Sequence, residues 1–210
     1  MPPASVVSWK PGDPAPASFP AIAAAVKRGK LVVFPTDTVY GIGTSALIPG
    51  ACERIFAAKG RDPAKPLPIL VHSTEEARRW VVFTPAAERL AAAFWPGPLT
   101  MVLEPTKAGE KLTTIGATTL AIRVPNHDVL LALLQASGVP WAATSANLSG
   151  RPAAKDGAAA AAALGEKAEW VVDAGPADGT ESTVVDARAL PLSILREGAL
   201  SKARLEAALA

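Results

Sequence analysis

Eight short apolar runs, set between stretches of helical periodicity and turns rich in Pro and Gly, confine this chain of 210 residues to an α/β fold. The runs are LVVFP (31–35), PILVH (68–72), LTMVLE (99–104), TTLAIRVP (118–125), VPWAAT (139–144), EWVVDAG (169–175), STVVDA (182–187) and LSILRE (192–197). Each is too short for a buried helix and rich enough in β-branched residues to read as a strand. Helical patterns fall between them. Ser18 is placed to cap a helix that Gly29 stops. A second helix runs from about Pro49, where a proline costs no hydrogen bond, to Lys59. Others begin at Thr74, with Glu75 and Glu76 in the first turn, and at Pro85. NHDVLLALLQASG closes at Gly138, and the alanine run 158–163 is a helix former. The alternation is irregular and the last strands neighbour one another like hairpins. An open, twisted mixed sheet flanked by helices is expected, not a purely parallel doubly wound one.

Residues 1–17, rich in Pro, Ala and Ser, read as an arm extended in part, and 18–210 as a single domain without internal repeats. Half of the residues are hydrophobic, ample for a core, yet no apolar run reaches the roughly 18 residues that span a bilayer. The N-terminus lacks a basic segment followed by an apolar one, so no secretory signal is expected. One cysteine, Cys52, precludes an intramolecular disulfide or a cysteine-cluster zinc site, and its helical setting makes it a small buried hydrophobe. Net charge is +2, without the basic stripe of a nonspecific nucleic-acid binder. Arg78 and Arg79, which follow Glu75 and Glu76, read as a solvated, self-paired helix face. A cytoplasmic enzyme fits these features.

Three polar stretches exceed what structure alone needs: PTDTVYGIGTSA (35–46), KGRDPAKPLPILVH (59–72) and TSANLSGRP (144–152). Lys59, Arg61 and Lys65 lie within seven residues, stiffened by Pro63 and Pro66, and run straight into a buried strand. A helix C-terminus could account for Lys59. It does not account for Arg61 and Lys65, which lie beyond the helix and repel unless an anion sits among them. Thr144, Ser145 and Asn147 are ordinary turn chemistry taken alone, but at a strand end they are also where phosphates bind. Arg123 interrupts an apolar strand and Arg196 follows one, so each needs a partner, which is either a salt bridge or a ligand. Gly41 and Gly43 would let the backbone approach a ligand near Thr38. Asp37 suits a turn as well as a metal or base role and is left unassigned, and His127 reads as structural. No His, Asp and Glu set has metal spacing.

On these stretches, joined by AIRVP (121–125), STVVD (182–186) and ILREGAL (194–200), the chain resembles the YrdC/Sua5 family from about Leu31 to Leu200. Members make threonylcarbamoyl-adenylate for tRNA modification. The resemblance implies an open, twisted sheet whose concave face holds the site, in the short form without the appended C-terminal domain. It implies catalytic roles for Lys59 and Arg61. ATP contacts are implied at Arg61, Lys65, Thr119, Thr144, Ser145, Asn147 and Arg196, and threonine contacts at Thr38, His72, Arg123 and Ser182. L-threonine, bicarbonate and ATP are the implied substrates, with Mg²⁺ carried on the ATP phosphates and no metal site of the protein's own. Downstream stand a threonylcarbamoyl-transferase complex and tRNA. Two alternatives stay open. One is a carbamoyl-adenylate-forming relative, which the single cysteine and short chain disfavour. The other is an RNA-binding module, for which 5% aromatic residues provide few stacking platforms.

Overall fold

Fully buried three- to five-residue strands form the centre of the molecule, because side chains pointing both ways from them meet packed partners. The computed structural model describes residues 4–112 and 118–210; Met1 to Pro3 of the expected arm lie outside them. The described strands are β1 (Ser5–Ser8), β2 (Val32–Phe34), β3 (Gly41–Ser45), β4 (Ile69–Leu70), β5 (Leu99–Leu103), β6 (Leu120–Arg123), β7 (Trp141–Ser145), β8 (Trp170–Asp173), β9 (Thr183–Asp186) and β10 (Ser193–Arg196). They make one open sheet in the order β1-β8-β2-β3-β7-β4-β6-β5-β9-β10. Pairing is mixed as expected: β1, β8 and β2 run parallel, β3 and β7 antiparallel, and β9–β10 is the terminal hairpin.

Helices α1 (Phe19–Lys27), α2 (Ala51–Lys59), α3 (Thr74–Trp80), α4 (Pro85–Phe94), α5 (Asp128–Ser137), α6 (Gly157–Leu164) and α7 (Lys202–Ala207) cover the sheet unequally. Val33, Ile42, Ile69, Met101, Ile122 and Val185 join the larger core, together with Cys52 and Ile55 of α2, Trp80 of α3, Leu90 of α4, Leu164 of α6 and Leu205 of α7. The alternate residues Val32, Phe34, Leu70, Trp141 and Ala143 meet only α1 and α5 through Ile22, Val26, Leu130 and Leu133. The second face is therefore covered at one end and bare at the other. Period-2 alternation places Thr100 and Val102 of β5, Ala121 and Arg123 of β6, and Val184 of β9 on the bare part.

Several local expectations are corrected. The arm contributes β1, which pairs with β8, and Trp9 behind it is buried against Phe19 with ring centroids 5.2 Å apart. Ser18 occupies the N-cap position of α1 but makes no side-chain cap bond. Helix α2 starts at Ala51, after Gly50 at φ 75°, so Pro49 precedes the helix instead of opening it. The cap of α3 is Ser73, whose hydroxyl accepts the Glu76 amide at 3.1 Å. Arg78 pairs with Glu88 of α4, not with its own helix, and Arg79 lies over the Trp80 ring.

Candidate active site

The bare end of the sheet holds a cavity of about 500 Å³. Its walls come from the β2–β3 loop, the loop after α2, the end of β7, and β9–β10 with Glu181. Of the expected residues, Thr38, Arg61, Arg123, Thr144, Ser145, Ser182 and Arg196 line it. Lys59, Lys65, His72, Thr119 and Asn147 do not.

Arg123 sits on the floor with its side chain 7% exposed. Its Nε donates to Gly97 O at 3.0 Å, Nη1 to Thr38 Oγ1 at 3.2 Å, and Nη2 to Asp37 Oδ1 at 2.5 Å. The guanidinium that the sequence left looking for a partner thus has one, Asp37, which sequence reasoning did not assign. Burial lowers its pKa and Asp37 opposes the shift. Thr38 is held in turn: its hydroxyl lies 2.9 Å from that of Thr36, which donates to Val39 O at 2.6 Å and accepts the Thr38 and Val39 amides. Five N–H groups on a guanidinium less three engaged leave one on each terminal nitrogen. That is the pair a carboxylate takes end-on.

The second group is cationic. Arg61 is tethered at the rim, Nη2 donating to Pro66 O at 3.3 Å, and burial followed by the charge of Arg196 pushes its pKa down. Arg196 donates from Nε and Nη2 to Ser182 O at 3.2 and 2.9 Å, and from Nη1 to Glu181 Oε2 at 2.7 Å. Its Nη2 also reaches Ser182 Oγ at 3.2 Å, and Thr100 Oγ1 is 3.0 Å from that same hydroxyl. Glu181, Thr100 and the apolar Leu195 and Pro66 in the wall were missed. Thr100 was open to discovery, as the polar residue opposite Leu99, Met101 and Leu103 in the alternation of β5.

Lys59 has another position than expected. It is 3% exposed, and its ammonium donates to Ser145 O, to Asn147 O at 2.5 Å and to Asn147 Oδ1 at 3.2 Å. Burial, with Arg61 second, lowers its pKa to about 8. Ser149 N donates back to Lys59 O at 2.9 Å. Asn147 spends its amide on Leu148 O and Arg151 O and receives the Ser145 hydroxyl at 2.5 Å. Lys59 and Asn147 therefore fasten the 145–151 loop from beneath. Lys65 is exposed, and Thr119 is half-buried away from the cavity. His72 turns to α3: its amide donates to Glu76 Oε2 at 3.0 Å, and Nδ1 lies 2.5 Å from that oxygen. Gly41 and Gly43 have a packing reason, since a Cβ on either would meet the Phe34 ring at 2.7 or 3.0 Å. Among the described residues no three His, Cys, Asp or Glu side chains cluster for a metal ion, and no helix is long and apolar enough to cross a membrane.

An open mixed α/β sheet with its polar cavity on the uncovered face, walled by arginines from three loops, defines a class of small-ligand-binding proteins. The family model described as telomere recombination (Sua5, YciO, YrdC) matches residues 24–198. The chain belongs to the YrdC/Sua5 family. It is 42% identical over 183 residues to a threonylcarbamoyl-AMP synthase of Pyrococcus abyssi, covering 86% of this chain and 54% of that protein. The threonylcarbamoyl-AMP synthase of Bacillus subtilis is 40% identical over 192 residues, 88% of this chain and 54% of its own length. The chain thus spans about half the length of these two relatives. The solved structure of P. abyssi Sua5 complexed with L-threonine superimposes with a TM-score of 0.91 at 37% identity, covering 98% of this chain and 61% of that one.

Proposed function

We propose that this protein condenses L-threonine, bicarbonate and ATP into threonylcarbamoyl-AMP, pyrophosphate and water. The observation that carries the reading is one cavity holding two separate recognition sets. Arg123, with an N–H to spare on each terminal nitrogen beside the hydroxyls of Thr38 and Ser182, suits an amino-acid carboxylate. Arg61 and Arg196, with Ser145, suit phosphates. The names of the similar proteins and the threonine-bound relative support it.

The chemistry follows from placing those substrates together. The threonine amine captures CO₂ derived from bicarbonate to give a carbamate, releasing water. A carbamate oxygen attacks the α-phosphorus of ATP, the α–β bridging bond breaks, and pyrophosphate leaves. No covalent nucleophile is needed; alignment and cation shielding of the leaving group carry the rate. Mg²⁺ comes with the ATP phosphates, keeping most of its waters. The product's activated carbonyl then passes, in the cytoplasm, to a transferase that modifies adenosine 37 of tRNA. Pyrophosphate release from ATP, with threonine and bicarbonate omitted in turn, tests the reading. Release that requires both is expected; release without threonine, or none under any condition, rejects it.

A further inference from the structure

Glu181 is a carboxylate set where the phosphates should lie. It lines the cavity beside Arg61 and Arg196 and pairs with Arg196 Nη1 at 2.7 Å. Its charge also acts on Lys59 and on Arg61, so it faces all three cations of this end of the site. Its backbone cannot drift away. Glu181 O accepts the Ala199 amide at 2.9 Å, Arg196 grips the next carbonyl, and a Cβ on Gly198 would lie 2.3 Å from Glu181 O, so only glycine lets the two strands pass this closely. The side chain, in contrast, is 41% exposed and can swing out.

Arg196 shows why that matters. Its Nε and Nη2 are committed to Ser182, and one Nη1 hydrogen goes to Glu181, which leaves a single N–H for any ligand. If Glu181 leaves, two become available. We infer that Glu181 is a built-in counter-ion that occupies the polyphosphate position in the ligand-free protein and that the triphosphate must displace. The inference deepens the proposed reading, since it takes this end of the cavity as the ATP phosphate site. A half-exposed pair is weak, so displacement is easy, and the device costs little affinity while sparing Arg61 and Arg196 from unrelieved repulsion.

The test is calorimetric titration at fixed ionic strength of wild type, Glu181→Gln and the double variant Glu181→Gln/Arg196→Ala. The ligands are inorganic tripolyphosphate and ATP, each with EDTA and then with Mg²⁺. We expect Glu181→Gln to bind metal-free tripolyphosphate about two- to fivefold more tightly than wild type, the range an exposed ion pair can withhold. Arg196→Ala should abolish that gain. Equal or weaker binding by Glu181→Gln overturns the inference, as does tripolyphosphate binding by none of the proteins. A loss in Glu181→Gln confined to the Mg²⁺ complexes overturns it in favour of a metal-holding role. Tighter tripolyphosphate binding without threonine-dependent pyrophosphate release would leave the counter-ion standing and reject the synthase reading.

Discussion

Replacing Lys59 with methionine separates two roles that its place beside Arg61 makes easy to confuse. The ammonium holds Ser145 O and Asn147 O. Methionine fills the apolar path of the side chain but strands both carbonyls, at about 1–3 kcal/mol for each buried acceptor left unpaired. Leu148 and Ser149 beside them are exposed, so water reaches part of the loop and the lower half of that sum applies, about 2–3 kcal/mol. For a chain of this size the loss lowers Tm by about 4–12 °C. Scanning calorimetry reads it, with ATP turnover measured on the same preparation. A lysine that braces the loop gives a lower Tm and slower turnover together, because Ser145 is no longer fixed. A lysine that only touches phosphate gives slow turnover at an unchanged Tm, which would refute the bracing argument. The pH dependence is a second check. The folded-state value of about 8 lies below the ordinary 10.5, so the unfolded chain binds the extra proton between them. Wild-type stability therefore gains from this residue as pH rises from about 8 to about 10.5. The Met variant lacks that gain, so the Tm gap widens across the window. A gap that stays constant would show that burial does not press on this ammonium.

Two further outcomes follow from the floor and the far wall of the cavity. Asp37→Asn takes the counter-charge from a buried guanidinium, at a cost of about 3–5 kcal/mol; calorimetry should show the loss, and the threonine KM should rise more than the ATP KM, since Thr38 and Arg123 move with Asp37. The Tyr40 hydroxyl donates to Gly175 O at 2.7 Å and accepts the Ala174 amide at 3.0 Å, and burial raises its pKa from 10.0 to about 12. Its contribution to stability is complete below pH 10 and is lost as pH climbs through about 12, so Tyr40→Phe should flatten the alkaline unfolding curve over that window.

Legibility of the sequence divides along a physical line. Strands whose residues are apolar on both sides, such as Val32–Phe34 and Ile69–Leu70, announce themselves, and so do helices with a cap and a glycine stop. Strand β3 does not, because its glycines make room for a ring on a different strand and read as loop residues until Phe34 is seen lying over them. Strand β1 is a largely exposed edge whose only support is the backbone of β8, a partner about 165 residues away. The cations of the site were legible because a charge inside an apolar run has no local excuse. Their carboxylate partners were not. Asp37 meets Arg123 across 86 residues and Glu181 meets Arg196 across 15, and each sits in a stretch that turn chemistry explains just as well.

The distribution of cover over the sheet explains why charges could be placed here at all. Two helices, α1 and α5, shield the face at Phe34, Leu70 and Trp141, and no described helix continues over β5, β6 and β9. The residues that face out there are small, Thr100, Val102, Ala121 and Val184, so they leave room for a ligand where larger ones would have filled the space. A bare apolar floor costs free energy in water until something covers it. Arginines on the rim compound that cost by standing close to one another. Both terms are relieved by the same event, the arrival of a ligand with an apolar body and anionic ends. Asp37 and Glu181 keep the unliganded arrangement intact until then, Asp37 as a permanent partner that aims Arg123 and Glu181 as one able to swing aside.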